Sequence, residues 1–131
     1  MPQSCPAEIT LRVPGERAYA LVIRTMLGGV AILKDLDVDA MDDLRTAADE
    51  ACDCLLNQGV AARWLTLSVR DGGQALTVAL EAELEEAAAQ AAAADTGMTR
   101  AVLETLIPQV SLTLTEAGRV RRIDLTLPKA V

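Results

Sequence analysis

Histidine is absent from this chain of 131 residues, and Tyr19 and Trp64 are its only aromatic residues. Because histidine is the usual general base near neutral pH and the commonest metal ligand, any general base here must be a carboxylate. So few aromatic rings also argue against a site that stacks nucleic-acid bases. Since 51% of the residues are hydrophobic, the core must be built from leucine, valine, isoleucine, alanine and methionine.

Positive charge is scarce as well, with 12 basic residues against 19 acidic ones and a net charge of -7. This excess repels phosphate backbones and anionic membrane surfaces, so we expect no nucleic-acid or membrane partner. A partner protein with a basic or mixed surface is a better match for this net charge. The sequence has no uninterrupted apolar run of membrane-spanning length, and its beginning, MPQSCPAEI, lacks the basic and apolar regions of a signal peptide. We therefore expect a cytoplasmic protein.

The three cysteines are an odd number, and Cys52 and Cys54 lie two residues apart on a predicted helix, where they point to nearly opposite sides. This geometry suits neither a disulfide nor a shared zinc ion. We expect reduced, structural thiols.

The pattern of apolar residues predicts the order strand, helix, helix, two strands, helix, two strands. A chain of this length fits one core, so we expect residues 1–131 to form a single domain. The order is typical of an α+β fold, a two-layer sandwich in which a mixed or antiparallel sheet is covered on one face by about three helices. The predicted strands are residues 8–13, 64–70, 75–82, 110–115 and 119–127, and the predicted helices are residues 17–34, 39–59 and 96–107.

Two segments are ambiguous. Gly28 and Gly29 lie inside the first helix, where each glycine costs about 1 kcal/mol relative to alanine, so we expect a kink, a close helix contact or an early end there. Residues 81–94, EAELEEAAAQAAAA, have a high helix propensity but few residues that could anchor them in a core. This segment is predicted to be either an ordered helix or a mobile lid.

The helix at residues 39–59 is the central element of the chain. Its apolar residues recur every three or four positions, at Met41, Leu44, Ala48, Ala51, Cys52 and Leu55. A polar row follows another face, at Asp43, Thr46, Glu50, Asp53 and Asn57. An aspartate among Asp35, Asp37 and Asp39 is expected to cap the helix start, which is a simpler interpretation than a metal site. The apolar row predicts packing, and any chemistry would lie on the polar row.

Four segments in this order resemble the ATP-binding domain shared by gyrase, histidine kinases and the bacterial anti-sigma factor serine kinases, and the small size points to the last group. The resemblance covers nearly the whole chain. It implies the same fold, ATP and Mg²⁺ as cofactors, a sigma factor or its antagonist as partner, and a homodimer. The segments are ITLRVPGERAYALVIRTML, LRTAADEACDCLLNQG, WLTLSVRDGGQALTVAL and DTGMTRAVLETLIPQVSLTLTEAGRVRRIDLTL.

The first motif implied by the resemblance is a catalytic glutamate on the central helix, followed four residues later by an asparagine that holds Mg²⁺. Glu50 matches the glutamate, but Cys54 stands at the asparagine position. A neutral thiol is a poor ligand for Mg²⁺, which prefers oxygen donors. Asp53 and Asn57 offer oxygens from other positions on the helix, which would displace the ion. We therefore expect Glu50 to be a remnant general base and no metal to be held at this position.

The other two motifs bind the nucleotide. An Asp-x-Gly-x-Gly sequence at the end of a strand is replaced by residues 81–85, which begin with Glu81 and contain no glycine. Side chains at the glycine positions would obstruct the nucleotide, and the carboxylates would repel phosphates. The third motif, a glycine-rich turn into a helix whose N-terminus can bind phosphate, keeps Gly97 and has Thr99 in place of its second glycine. Glu81, Gly97 and Thr99 are thus remnant nucleotide-site positions.

Three hypotheses follow. The first, which we favour, is a regulatory protein-binding module of the anti-sigma kinase type that has lost ATP binding and phosphotransfer. The second is an active ATP- and Mg²⁺-dependent protein serine kinase that acts on an anti-sigma antagonist. The third is a structural or assembly protein that shares only the fold. The first hypothesis further predicts a collapsed or filled nucleotide pocket, with residues 85–94 packed as an ordered helix where a mobile lid would otherwise lie.

Overall fold

A computed structural model of the protein describes residues 6–85 and 96–129. Within these ranges the element order is the predicted one. A short 3₁₀ turn at Arg17–Tyr19 precedes the first helix. The elements are β1 (Ile9–Pro14), α1 (Ala20–Leu33), α2 (Val38–Leu56), β2 (Ala62–Asp71), β3 (Ala75–Leu84), α3 (Gly97–Leu106), β4 (Gln109–Leu114) and β5 (Val120–Pro128).

The five strands form an antiparallel sheet with the order β1-β2-β3-β5-β4. Alternate residues along each central strand are buried against the helices, as at Leu65, Leu67 and Val69 of β2, while Thr66 and Ser68 face the other way. α2 packs against α1, α3, β3 and β5. The predicted α+β fold is therefore confirmed, and the sheet is antiparallel.

The predicted cap of the central helix is also confirmed. Asp37 is its N-cap, and its carboxylate accepts a hydrogen bond of 2.7 Å from the amide of Ala40. The apolar row faces the core: Met41 is partly buried, and the other members, Leu44, Ala48, Ala51, Cys52 and Leu55, are fully buried, as is the neighbouring Ala47. No helix in the two described ranges is long and apolar enough to span a bilayer.

The glycine pair of α1 departs from our expectation. The helix continues through Gly28 and Gly29 to Leu33, and a Cβ atom added at either glycine would meet nothing within 4 Å. An early end and a close helix contact were both wrong predictions. Burial of the opposite side of α1, at Ile23, Leu27, Val30 and Ala31, stabilises the helix despite the glycines.

The predicted helical segment 81–94 begins as a strand. β3 extends to Leu84, because Glu81 pairs with Thr66 and Leu84 pairs with Ala62 of β2. Ladder hydrogen bonds here override the intrinsic helix propensity of residues 81–84. Residues 86–95 lie outside the described part of the chain, and with them the prediction of an ordered helix or a lid.

An ion cluster joins residues at the start of β1, the end of α1, the end of β2 and the end of β5. The Lys34 ammonium donates to Glu8 at 2.6 Å and to Asp71 at 2.9 Å, and the Lys129 ammonium donates to both oxygens of Asp71 at 2.9 Å. The amide of Gly73 donates to the same carboxylate at 2.9 Å. The hydrogen bonds from Lys129, Gly73 and Lys34 hold the pKa of Asp71 well below its usual range.

We expect the Asp71→Asn substitution to reduce the pH dependence of stability. Because the pKa of Asp71 is lower in the folded chain than its unfolded value of about 3.9, its contribution is fully present above about pH 5 and is lost as the pH falls further. Urea unfolding followed by circular dichroism should show that the wild type loses more stability than Asp71→Asn between about pH 6 and pH 3. The Asp42→Asn variant, at an exposed position of α2, is the control. Equal pH profiles for Asp71→Asn and the wild type would contradict this prediction.

Candidate functional site

Cys54, beside the polar row of α2, lies next to Thr99 in the first turn of α3. The Cys54 thiol lies within hydrogen-bonding reach of the Thr99 hydroxyl. Thr99 is buried, and Leu103, one turn later on α3, is fully buried against the core. The structure thus brings together the position where the resemblance expects a Mg²⁺ ligand and the position where it expects the second glycine of the phosphate turn.

The thiols near this contact are held in the neutral form. Burial raises the pKa of Cys54, the Thr99 hydroxyl opposes that shift, and the Glu50 carboxylate one turn away raises the pKa again. On the core side of α2, burial raises the pKa of Cys52 to about 12, and nearby Asp49 and Asp53 contribute. Both cysteines are free, as expected. A protonated, carboxylate-flanked thiol is a poor nucleophile and a poor metal ligand.

Asp53 and Asn57, the nearby residues of the polar row with side-chain oxygens, both make other contacts. The Asp53 carboxylate forms an ion pair of 3.0 Å with Arg17, and the Asn57 side chain donates at 2.9 Å to the backbone oxygen of Asp53. Across residues 6–85 and 96–129, no group of three or more cysteine and carboxylate residues is arranged to hold a metal ion. With sulfur at the ligand position, the donors at Cys54 do not fit Mg²⁺.

The N-terminal turn of α3 carries Gly97 and Thr99. Thr96 is the N-cap residue but makes no side-chain cap hydrogen bond, and the amide of Arg100 donates to its backbone oxygen. The Thr99 side chain turns inward to Cys54, so it occupies space between α2 and α3. A glycine at position 99 would leave that space open.

Glu81 lies apart from the other predicted site residues. Its neighbours Leu80 and Ala82 point into the core, so the Glu81 side chain is on the sheet face away from the described helices. It forms ion pairs with Arg121 at 3.0 Å and Arg122 at 3.4 Å, and it lines a cavity of about 480 Å³. The structure therefore brings together Glu50, Cys54, Gly97 and Thr99 on α2 and α3, but it does not bring Glu81 to them.

The sequence analysis did not predict two buried polar residues that lie next to helices or strands. Gln58, just beyond α2, makes hydrogen bonds to the start of β5. Arg119, just before β5, is only 1% exposed, and its Nε and Nη1 atoms have no hydrogen-bond partner among the described residues. Periodicity could not have identified either side chain as buried, because it marks apolar positions only. Gln58 lies near the end of the predicted helix 39–59, and Arg119 is the first residue of the predicted strand 119–127.

No protein-family model matches the chain. The chain is similar to the anti-sigma-F factor RsbW of Mycobacterium tuberculosis, in strain CDC 1551 / Oshkosh and in strain ATCC 25618 / H37Rv, with 34% identity over 61 residues in each case. The matched segment covers 47% of this chain and 36% of the length of the curated relatives. The similarity to an anti-sigma factor thus extends over about half of this chain and about a third of the relatives.

Proposed function

We propose that this protein is a cytoplasmic regulatory module of the anti-sigma factor type, which binds a sigma factor or its antagonist and has lost ATP binding and phosphotransfer. The observation that carries the proposal is that Cys54 and the buried Thr99 stand at two positions where the resemblance requires a Mg²⁺ ligand and a glycine. The similarity to anti-sigma-F factor RsbW supports the anti-sigma part of it.

The Cys54–Thr99 contact opposes nucleotide binding in two ways. The resemblance requires an oxygen ligand for Mg²⁺ at position 54, and the Cys54 side chain offers a neutral sulfur atom instead. It also requires a glycine at position 99 in the turn where phosphate oxygens approach the backbone amides of α3, and the buried Thr99 side chain takes up space beside that turn. Binding of Mg²⁺-ATP would have to break the contact and then leave the metal without one of its ligands.

Glu50 is a remnant under this proposal. A general base acts only when a substrate proton lies within hydrogen-bond distance, and the nucleotide and metal that would bring that substrate are not held. Glu50 is partly exposed on the polar row of α2, where a hydrated carboxylate needs no further partner. Its present effect is to help keep the Cys54 thiol protonated.

Titration calorimetry with ATP and Mg²⁺ tests the loss of nucleotide binding. We expect no saturable binding at micromolar ATP, while circular dichroism on the same sample shows cooperative unfolding and so confirms that the protein is folded. Saturable micromolar binding would overturn the proposal in favour of an active kinase. In that case Glu50→Ala should abolish phosphorylation of the antagonist but leave ATP binding intact.

The structural alternative is tested separately by a pull-down from the native host with mass spectrometry. Recovery of a sigma factor or its antagonist supports the anti-sigma proposal, and recovery of neither favours an assembly protein. Sedimentation of the purified protein measures whether it also forms the homodimer that the resemblance implies.

A further inference from the structure

The outward side of α1 exposes apolar side chains that no described element covers. Seven large apolar residues are exposed in the described part of the chain, and five of them lie on α1 or at the start of α2. Leu21, Ile32 and Leu33 of α1 are each more than 60% exposed. Such clustering marks an interaction surface more often than scattered exposed residues do. We define the α1 face as Leu21, Val22, Thr25, Gly28, Gly29, Ile32 and Leu33.

The two glycines leave a gap between the apolar side chains of the α1 face, and we call this gap the groove. Helical spacing places the α1 face in two adjacent rows on one side of the helix, over a length of about 18 Å. One row contains residues 21, 25, 28 and 32, and the other contains residues 22, 29 and 33. Gly28 and Gly29 lie between the apolar side chains at the two ends, and the space above both glycines is open. Apart from proline, glycine is the residue that destabilises a helix most. No contact within the described chain requires a glycine at either position. The absence of side chains at both glycines would allow the backbone of another protein to approach α1 closely.

The charge around the α1 face is negative. Arg17 forms an ion pair with Asp53, and Arg24 forms one with Asp49, both at 3.0 Å. Lys34 belongs to the ion cluster with Glu8 and Asp71. The basic residues of this helix are therefore neutralised within the chain.

The stretch of chain that contains α1 and most of α2 is acidic overall. Between residues 16 and 53 the chain has nine acidic and four basic residues. Asp35, Asp37 and Asp39 are exposed and lie within the six residues after Leu33, the last residue of α1. Complementary binding to this surface requires a partner whose apolar side is bordered by positive charge.

We infer that the α1 face is a docking surface for a basic amphipathic helix of a partner protein. The inference rests on the proposed protein-binding function and states the chemistry of the partner. Apolar residues of the partner at helical spacing would contact Leu21 and Ile32, its backbone would cross above Gly28, and its lysine and arginine residues would face Asp35 and Asp37. A second copy of this chain is a poorer occupant, because two acidic borders would then face each other.

Two synthetic peptides of about 15 residues test this docking surface. One is an amphipathic helix with leucines on one side and lysines and arginines on the other, and the second has every basic residue replaced by glutamate. Fluorescence anisotropy should show micromolar binding of the basic peptide that weakens as salt is added, and no binding of the acidic peptide. Ile32→Ser and Leu21→Ser should each weaken binding of the basic peptide by about tenfold or more.

Two further variants separate docking from folding and from unspecific attraction. Leu114→Ser removes an exposed apolar residue on β4 and should leave peptide binding unchanged. Gly28→Ala should weaken binding although it favours the helix, because its methyl group enters the groove. Loss of binding in that variant would not come from unfolding.

Three results would overturn the inference. The first is equal binding of the acidic peptide, and the second is full binding by Ile32→Ser. The third is a wild-type dimer in sedimentation that Ile32→Ser dissociates, which would make the α1 face an interface between copies. The ATP titration gives an independent answer, since a protein that binds both ATP and the basic peptide would refute the proposed loss of nucleotide binding and leave the docking surface intact.

Discussion

Replacing Gln58 with alanine should lower the free energy of unfolding by about 2 to 5 kcal/mol, because it leaves buried backbone groups without partners. The Gln58 side chain donates at 2.8 Å to the backbone oxygen of Val120 and accepts at 2.6 Å from its amide. It also donates at 3.2 Å to the backbone oxygen of Leu55. Val120 is fully buried, so water cannot replace either hydrogen bond without opening the core.

Asn57→Ala is the matched control for Gln58→Ala. Asn57 is the preceding residue, has the same amide group and donates to a backbone oxygen at 2.9 Å, but its hydrogen bond is exposed. Its loss should cost less than about 1 kcal/mol in urea unfolding followed by circular dichroism. We call the two buried hydrogen bonds between Gln58 and Val120 the clamp. Similar losses of stability for the two variants would refute the stabilising role of the clamp.

A charged variant distinguishes the two hydrogen bonds to Val120. In Gln58→Glu the carboxylate can still accept from the amide of Val120, but near pH 7 it has no proton to donate to the backbone oxygen. We expect this variant to be less stable than the wild type at pH 7 and to recover part of the difference near about pH 4, where the carboxyl group is protonated. Gln58→Ala cannot show this recovery, because alanine has no group that could be protonated.

The clamp matters for the proposed function because of its place in the chain. Gln58 joins the end of α2 to the start of β5, and Cys54 lies one turn earlier on the same helix. Fixing the end of α2 helps to fix the distance between Cys54 and Thr99. A loosened clamp would therefore act first on the helix that carries Glu50 and Cys54.

The elements of the fold could be predicted because each has a distinct apolar period. β2 was predicted at residues 64–70 and runs from Ala62 to Asp71, and α3 was predicted at residues 96–107 and runs from Gly97 to Leu106. The strand 75–82 was predicted correctly but two residues too short, because local propensity and tertiary pairing disagree at residues 81–84, which were also assigned to the helical segment. Glutamate and alanine favour a helix there, but the ladder with β2 keeps these residues in β3.

The candidate site could be predicted only within single elements. A spacing of four residues places Glu50 and Cys54 on one side of a helix, and both residues do lie in α2. The contact between Cys54 and Thr99 joins two helices that are more than 40 residues apart in the chain, and no local pattern contains that information. The face of Glu81 could have been inferred, because Leu80 and Ala82 are apolar core residues and side chains alternate along a strand.

Alanine at position 15 should destabilise the fold by about 3 kcal/mol, whereas alanine at position 28 should stabilise it by up to about 1 kcal/mol. Gly15 follows β1, and its amide donates at 3.1 Å to the backbone oxygen of Arg63. A Cβ atom at Gly15 would overlap the backbone oxygen of Ala62 and lie 2.7 Å from the backbone carbon of that residue. Because these atoms belong to the β1–β2 pair, the strands themselves would have to shift.

Measuring both alanine variants by urea unfolding and by peptide binding separates the two uses of glycine in this chain. At Gly15 the missing side chain allows two backbones to approach within the fold, so its replacement should reduce stability. At Gly28 the open space lies outside the fold, so its replacement should raise stability and weaken only the docking of the basic peptide. If Gly15→Ala is as stable as the wild type, the end of the β1–β2 pair can relax at little cost. If Gly28→Ala leaves peptide binding unchanged, the open groove on α1 is not where the partner helix crosses.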